Sequence, residues 1–128
     1  MVLETIGYIT KDSGKRQEYN SGMVRDTQEG KPNFLLCIPE NVPYEEQLLT
    51  RFASLMTRGA EKYYDRNWEK ANSKEEMDRF KSSALRHMMQ WVCDEDDEDH
   101  ASAVLFNITA YETTKYKLRN EKQNGKEE

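Results

Sequence analysis

SKEEMDRFKSSALRHMMQWVCDEDDEDHASAVLFNITAYETTKYKLR, residues 73–119, is the stretch whose reading decides the fold. Ser73 and Glu76 have the form of a capping box, in which a hydroxyl and a carboxylate satisfy the free amides of a first helical turn. From there Met77, Phe80, Ala84, Met88 and Trp91 recur three or four apart and mark one apolar face up to about Val92. The run from Cys93 to His100, CDEDDEDH, then makes a turn. A further helix is expected from about Asp97 to Arg119. Its apolar stripe would be Ala101, Val104, Leu105, Ile108 and Tyr111, with Lys115, Lys117 and Arg119 near its negative end.

Upstream, Pro43 followed by Glu45 and Glu46 is a good helix start, because proline tolerates the first turn and acidic groups favour the positive end of the dipole. Leu48, Leu49, Phe52, Leu55 and Met56 carry a helical period, giving a helix from about residue 44 to at least 58, with an extension toward Tyr64 in reach. Residues 1–43 are rich in Gly, Asp, Asn and Lys with short apolar pieces (ETIGYIT, NFLLCIP), and read as an extended arm with one or two short strands, packing on the domain. The tail NEKQNGKEE, residues 120–128, has nothing to bury and reads as flexible. The expected architecture is all-α: a small helical bundle over 44–119 with an N-terminal arm.

A chain of 128 residues is the size of one domain. Hydrophobic residues are 36 % of it, charged residues 34 %, and the mean hydropathy is −1.02. So lean a core suggests that a second subunit completes part of the surface, in a homodimer or homotetramer. A net charge of −5 argues against a nucleic-acid partner, whose phosphates call for clustered Lys and Arg. Cys37 and Cys93 lack metal-binding or framework spacing and read as reduced thiols. The opening MVLETIGYIT has no basic start and apolar run, and no window reaches the roughly 20 apolar residues of a membrane span, so no membrane association and a cytoplasmic location are expected.

Four groups of residues can carry chemistry. The acidic run from Asp94 to Asp99 supplies hard oxygen ligands for Mg²⁺ or Mn²⁺, and Glu95, Glu98 and Asp99 are best placed if the last helix begins early; a solvated acidic helix start would look the same. His100, Ala103 and Asn107 share a face, with the small alanine leaving room for a ligand, or else they are satisfied polar groups in a helix interface. In RGAEKYYDRNWEK, residues 58–70, Lys62 and Arg66 can meet phosphate oxygens, Glu61 can add a metal ligand, and Tyr63 or Trp68 can stack on a base; ion pairs one turn apart are the alternative. Arg86 can neutralise a triphosphate or pair with the acidic run, while His87 beside it reads as a core histidine.

Taken in order, SGMVRDTQEGKP (21–32), RGAEKYYDRNWEK (58–70), SALRHMMQW (83–91) and DEDHASAVLFN (97–107) resemble the phage and bacterial dATP/dGTP diphosphohydrolases, a branch of the MazG-like all-α NTP pyrophosphatases. The most specific pieces are Lys62-Tyr63 with Asn67-Trp68, Arg86-His87 ahead of Trp91, and an acidic turn leading to His100 and then Asn107. Some family features are altered. Asn33-Phe34-Leu35-Leu36 stands where the family often has RFDL, Asp94-Glu95 stands where it has a Gly-Glu pair, and Ala103 replaces a second histidine. The MazG-type ExxE and ExxD pairs are not cleanly reproduced.

The resemblance implies hydrolysis of purine deoxynucleoside triphosphates, dATP or dGTP, to monophosphate and pyrophosphate, serving control of a nucleotide pool in a phage. It implies Mg²⁺ or Mn²⁺; position selects Glu95, Glu98 and Asp99 to hold the metal, with Glu61 a weaker choice, and charge and position put Glu95, Glu98, Lys62 and Arg86 in catalysis. Substrate contacts would come from Lys62, Arg66, Asn67, Trp68, His100 and Asn107, and from Arg25 and Lys31 on the arm. Two rival readings remain: a pyrimidine-directed, dUTPase-like hydrolase of the same superfamily, and a non-catalytic helical interaction protein of a phage whose acidic run is a binding face.

Overall fold

Helix formation at residue 74 follows from the cap. In the computed structural model, which describes residues 4–5 and 8–124 with side chains from 8 to 122, the Ser73 hydroxyl accepts from the Glu76 amide at 3.2 Å. The Glu76 carboxylate in turn accepts from the Asn72 amide and the Ser73 hydroxyl, both at 2.8 Å. The expected reciprocal cap is therefore present, displaced by one residue at its backbone end. Among the described residues there are three α-helices: α1 (Leu48–Tyr63), α2 (Lys74–Val92) and α3 (His100–Asn124). Short 3₁₀ turns cover Tyr44–Glu46 ahead of α1 and Asn67–Lys70 between α1 and α2.

The chain divides into two compact units, Met1–Pro39 and Glu40–Glu128. In the first, β1 (Glu4–Thr5) pairs with β2 (Tyr8–Ile9), and β3 (Arg16–Glu18) pairs antiparallel with β4 (Val24–Asp26), followed by a 3₁₀ turn over Phe34–Cys37. The second hairpin closes through Gly22, whose φ of +94° suits only a residue without a Cβ penalty. The expected short strands are thus two two-stranded pieces.

In the second unit α3 packs against both other helices. Its buried line is His100, Ala103, Asn107, Ala110 and Thr114, at helical spacing. Of the expected stripe Val104 is buried too, Ala101, Leu105 and Tyr111 are half-buried at the flank, and Ile108 is exposed. Small residues win the seam because they let α2 approach closely. Two of the polar ones are satisfied within α3, Asn107 donating to the Ala103 carbonyl at 2.8 Å and Thr114 to that of Ala110 at 2.9 Å, while His100 bonds outside the helix, to His87 and Asp97.

On α2, Met77 and His87 are buried, whereas Trp91 is half-exposed. His87 already meets His100, the first residue of α3, so Trp91 lies one turn beyond anything α3 offers to pack on. Leu48 and Leu49 are likewise exposed, and α1 starts at Leu48 because Gln47 is extended. The far ends of the helices are tied by Lys117, which donates to the carbonyls of Glu69 and Ala71, and by edge-on contacts of Phe106 with Trp68 and Phe80, each with centroids 6.2 Å apart. Helix α3 runs to Asn124, past the end expected at Arg119; residues 125–128 of the expected tail lie outside the described residues. Among the described residues no helix is long and apolar enough to cross a membrane.

Candidate functional site

The turn from α2 to α3 is built by its backbone. Helix α2 closes with the Glu95 amide donating to the Gln90 carbonyl and the Asp94 amide to that of Trp91, both at 3.0 Å. That is a Schellman closure, whose pivot residue adopts the left-handed conformation; Asp94 does so, with φ +60°. Glycine is the usual occupant, and aspartate is among the few side chains that tolerate it. The closure fixes where Glu95 leaves the helix.

At the other end of the turn Asp99 caps α3. Its carboxylate accepts from the Ser102 hydroxyl at 2.8 Å and the Ser102 amide at 3.2 Å. It also receives both prongs of the Arg51 guanidinium from α1, at 2.9 and 3.0 Å. Arg51 beside it, followed by the Ser102 bonds, holds the Asp99 carboxyl well below the usual carboxylate range. Helix α3 therefore begins three residues later than expected, and Glu95 and Glu98 precede it instead of sharing its first turn.

Between these fixed points Glu95, Asp97 and His100 bring one ligand atom each to within 4.8 Å of one another. Asp97 accepts from His100 Nε2 at 2.8 Å, and that hydrogen bond lowers its pKa. The His100 Nδ1 lies 2.9 Å from Nδ1 of His87. Burial, reinforced by Arg86, lowers the His87 pKa and keeps the ring neutral. Two exposed carboxylates with an imidazole behind them suit an oxygen-loving divalent cation, with His100 orienting Asp97.

A separate cavity of about 950 Å³ lies between the C-terminal half of α1, the turn over residues 67–70, the first half of α2 and Phe106 of α3, and none of Glu95, Asp97 and His100 lines it. Its apolar walls include Leu55, Met56, Phe80 and Phe106, and Asn67 and Trp68 line it as well. Phe106 stands six residues along α3 from His100, about 9 Å at 1.5 Å per residue.

The expected site residues fall into groups. Glu95 and His100 meet, joined by Asp97, which the sequence reading left among the surrounding acids. Arg66, Asn67 and Trp68 gather at the cavity, Arg66 paired with Glu69. Lys62 is exposed, its ammonium 5.1 Å from the Tyr63 ring centre. Asp99 is taken up by Arg51 and Ser102, and Glu98 is exposed outside the triad. Glu61 lies ten residues along α1 from Arg51, about 15 Å away along the axis. Asn107 is buried within α3. In the first unit Arg25 is exposed on β4 and Lys31 pairs with Asp26 at 3.2 Å.

Arg86 makes no ion pair with the acidic run; it donates to Gln90 at 3.1 Å and lies 3.4 Å from His87 Nε2. Sequence reasoning read His87 as a core histidine, which its burial bears out, left Asp97 among the surrounding acids, and passed over Gln90 and Arg51. The spacing of Asp97 to His100 is one helical turn and offered a signal; the pairing of Arg51 with Asp99, far apart in the chain, offered none.

No curated protein and no solved structure matches the chain. Residues 19–124, by contrast, match the family described as dATP/dGTP diphosphohydrolase, N-terminal, a span that takes in α1, α2, α3 and strand β4 and begins just after β3. With that match over most of its length, the chain belongs to the dATP/dGTP diphosphohydrolase family.

Proposed function

We propose that the protein hydrolyses purine deoxynucleoside triphosphates, dATP and dGTP, to monophosphate and pyrophosphate with the help of Mg²⁺ or Mn²⁺. The observation that carries this reading is the match of residues 19–124 to this family, supported by the pair Glu95 and Asp97, whose carboxylates converge with His100. Such a cation supplies charge neutralisation for the triphosphate and a more acidic attacking water. Glu95 and Asp97 hold it, with Glu98 as a further carboxylate of the same turn. The apolar cavity takes the base and sugar, Trp68 offering a ring face and Asn67 an amide. Arg66 lines the cavity and Lys62 stands at the same end of α1, where they supply positive charge to the nucleotide. No covalent intermediate is called for.

Incubation with each common nucleoside triphosphate tests this directly. Monophosphate and pyrophosphate from dATP or dGTP, abolished by EDTA, are expected. Preferential turnover of dUTP would favour the pyrimidine-directed reading, and no turnover with either metal would favour the interaction protein.

The exposed Leu85, Met88, Met89 and Val92 follow one another at helical spacing on α2, the sort of stripe a two-fold helix contact buries. A second copy of the chain covers it in this reading. Light scattering should give twice the chain mass, and Leu85→Glu with Met89→Glu should give the single-chain mass; an unaltered mass in the double variant would place the contact elsewhere.

A further inference from the structure

Arg86 is exposed on α2, with its guanidinium at the root of two hydrogen-bonded chains. One runs through Gln90: Arg86 Nη1 donates to Gln90 Oε1 at 3.1 Å, and Gln90 Nε2 donates to Glu95 Oε1 at 3.1 Å. The other runs through the buried imidazoles, from Arg86 Nη2 to His87 Nε2 at 3.4 Å, from His87 Nδ1 to His100 Nδ1 at 2.9 Å, and from His100 Nε2 to Asp97 Oδ1 at 2.8 Å. Both chains end on the two carboxylates of the triad.

The direction of every bond follows from its first member. A guanidinium has donors only, so His87 Nε2 must present its lone pair to Arg86. The proton of neutral His87 is then on Nδ1 and points at His100 Nδ1, which must accept. The His100 proton is left on Nε2, where it donates to Asp97. The same logic fixes the Gln90 amide, since its oxygen must face the guanidinium and its nitrogen is left to face Glu95. Were either ring to take its other tautomer, two donors or two lone pairs would face each other inside the bundle.

From this geometry we infer that Arg86 is a positioning residue: its planar fork sets the tautomers of His87 and His100 and the rotamer of Gln90, and so aims both Asp97 and Glu95. A lysine cannot take its place, because a single ammonium on a flexible stem lacks the two in-plane prongs that address Gln90 and His87 together. The inference rests on the reading of Glu95 and Asp97 as cation ligands for its metal measurement alone; the tautomers are a property of the metal-free, nucleotide-free protein.

Two measurements on the full chain test it. In the first, long-range ¹H–¹⁵N spectra of the metal-free protein should show His100 protonated on Nε2 and His87 on Nδ1, and Arg86→Lys should mix the tautomers. In the second, Mn²⁺ titration followed by electron paramagnetic resonance, without nucleotide, should show Arg86→Lys weakening binding by about 10–100-fold, as loss of outer-shell support does. Gln90→Leu should weaken Mn²⁺ binding while leaving both tautomers as in the parent protein, since it severs one chain only. If His100 in the parent carries its proton on Nδ1, the inference is overturned whatever the protein hydrolyses. It is equally overturned if Arg86→Lys leaves tautomers and Mn²⁺ affinity unchanged and raises only the KM for dATP, the result expected of a phosphate contact.

Discussion

Asp97→Asn should lower turnover of dATP about 10³-fold or more while leaving the fold intact, since a bound cation contributes several kcal/mol of charge stabilisation and each 1.36 kcal/mol is tenfold in rate. The asparagine has the same shape and keeps an oxygen for the His100 N–H, so only the negative charge is lost. Because the Asp97 side chain is 63 % exposed, the melting temperature should barely move. Glu98→Gln removes the same charge from the same turn but outside the triad, and should cost less than about tenfold, or about 1.4 kcal/mol. Initial rates with Mn²⁺ for the two variants decide the ligand set: full activity in Asp97→Asn with loss in Glu98→Gln would exchange their roles.

Asp99→Ala carries the largest expected effect on stability. Loss of an N-cap costs about 0.5–2 kcal/mol, and loss of hydrogen bonds to a charged partner about 1.5–3 kcal/mol more. Arg51 is 37 % exposed and can rehydrate, which trims the sum to about 2–3 kcal/mol and a melting point lower by about 10 °C or more. Asp99→Asn keeps a cap oxygen and should lose about half as much. The two variants also differ from the parent in acid. Since Arg51 and Ser102 hold the folded Asp99 pKa below its unfolded value near 3.9, the unfolded chain takes up the proton first as pH falls. The contribution of Asp99 is fully present above about pH 5 and declines below it, so the stability difference between parent and Asp99→Asn should shrink through that window. A difference constant down to pH 2 in urea titrations would remove the ion pair from the account.

Much of this was legible in order along the chain. The start of α2 could be read from Ser73 and Glu76, and its end from the change of pattern after Val92. The family could be read from Lys62-Tyr63, Asn67-Trp68, Arg86-His87 and His100, and the match over residues 19–124 bears it out. The core of α3 was harder: apolar periodicity found Val104, which is buried, but also pointed to Ile108, which is exposed, and it missed the small and polar line through Ala103, Asn107 and Ala110 that lets α2 approach closely. The start of α3 was set too early because acidic residues suit a helix N-terminus; here most of them form the turn, and Asp99 alone is the cap. The departure at Asp94-Glu95 from a Gly-Glu pair becomes intelligible through the left-handed backbone at Asp94, which a sequence by itself does not display. Arg51 could not have been found, since nothing local ties it to a carboxylate 48 residues away.

The exit from α1 has a different kind of consequence. Tyr64 and Arg66 both take positive φ, +80° and +58°, in a segment that bends around the cavity rim. Each such residue stores roughly 1–3 kcal/mol of backbone strain, which persists only where the surroundings over-determine it. Here the surroundings are the Lys117 clamp on the Glu69 and Ala71 carbonyls and the ring of Trp68 against Phe106. Glycine at 64 or 66 would relax that strain, whereas loss of the Lys117 clamp would leave the strained rim with less to hold it in place.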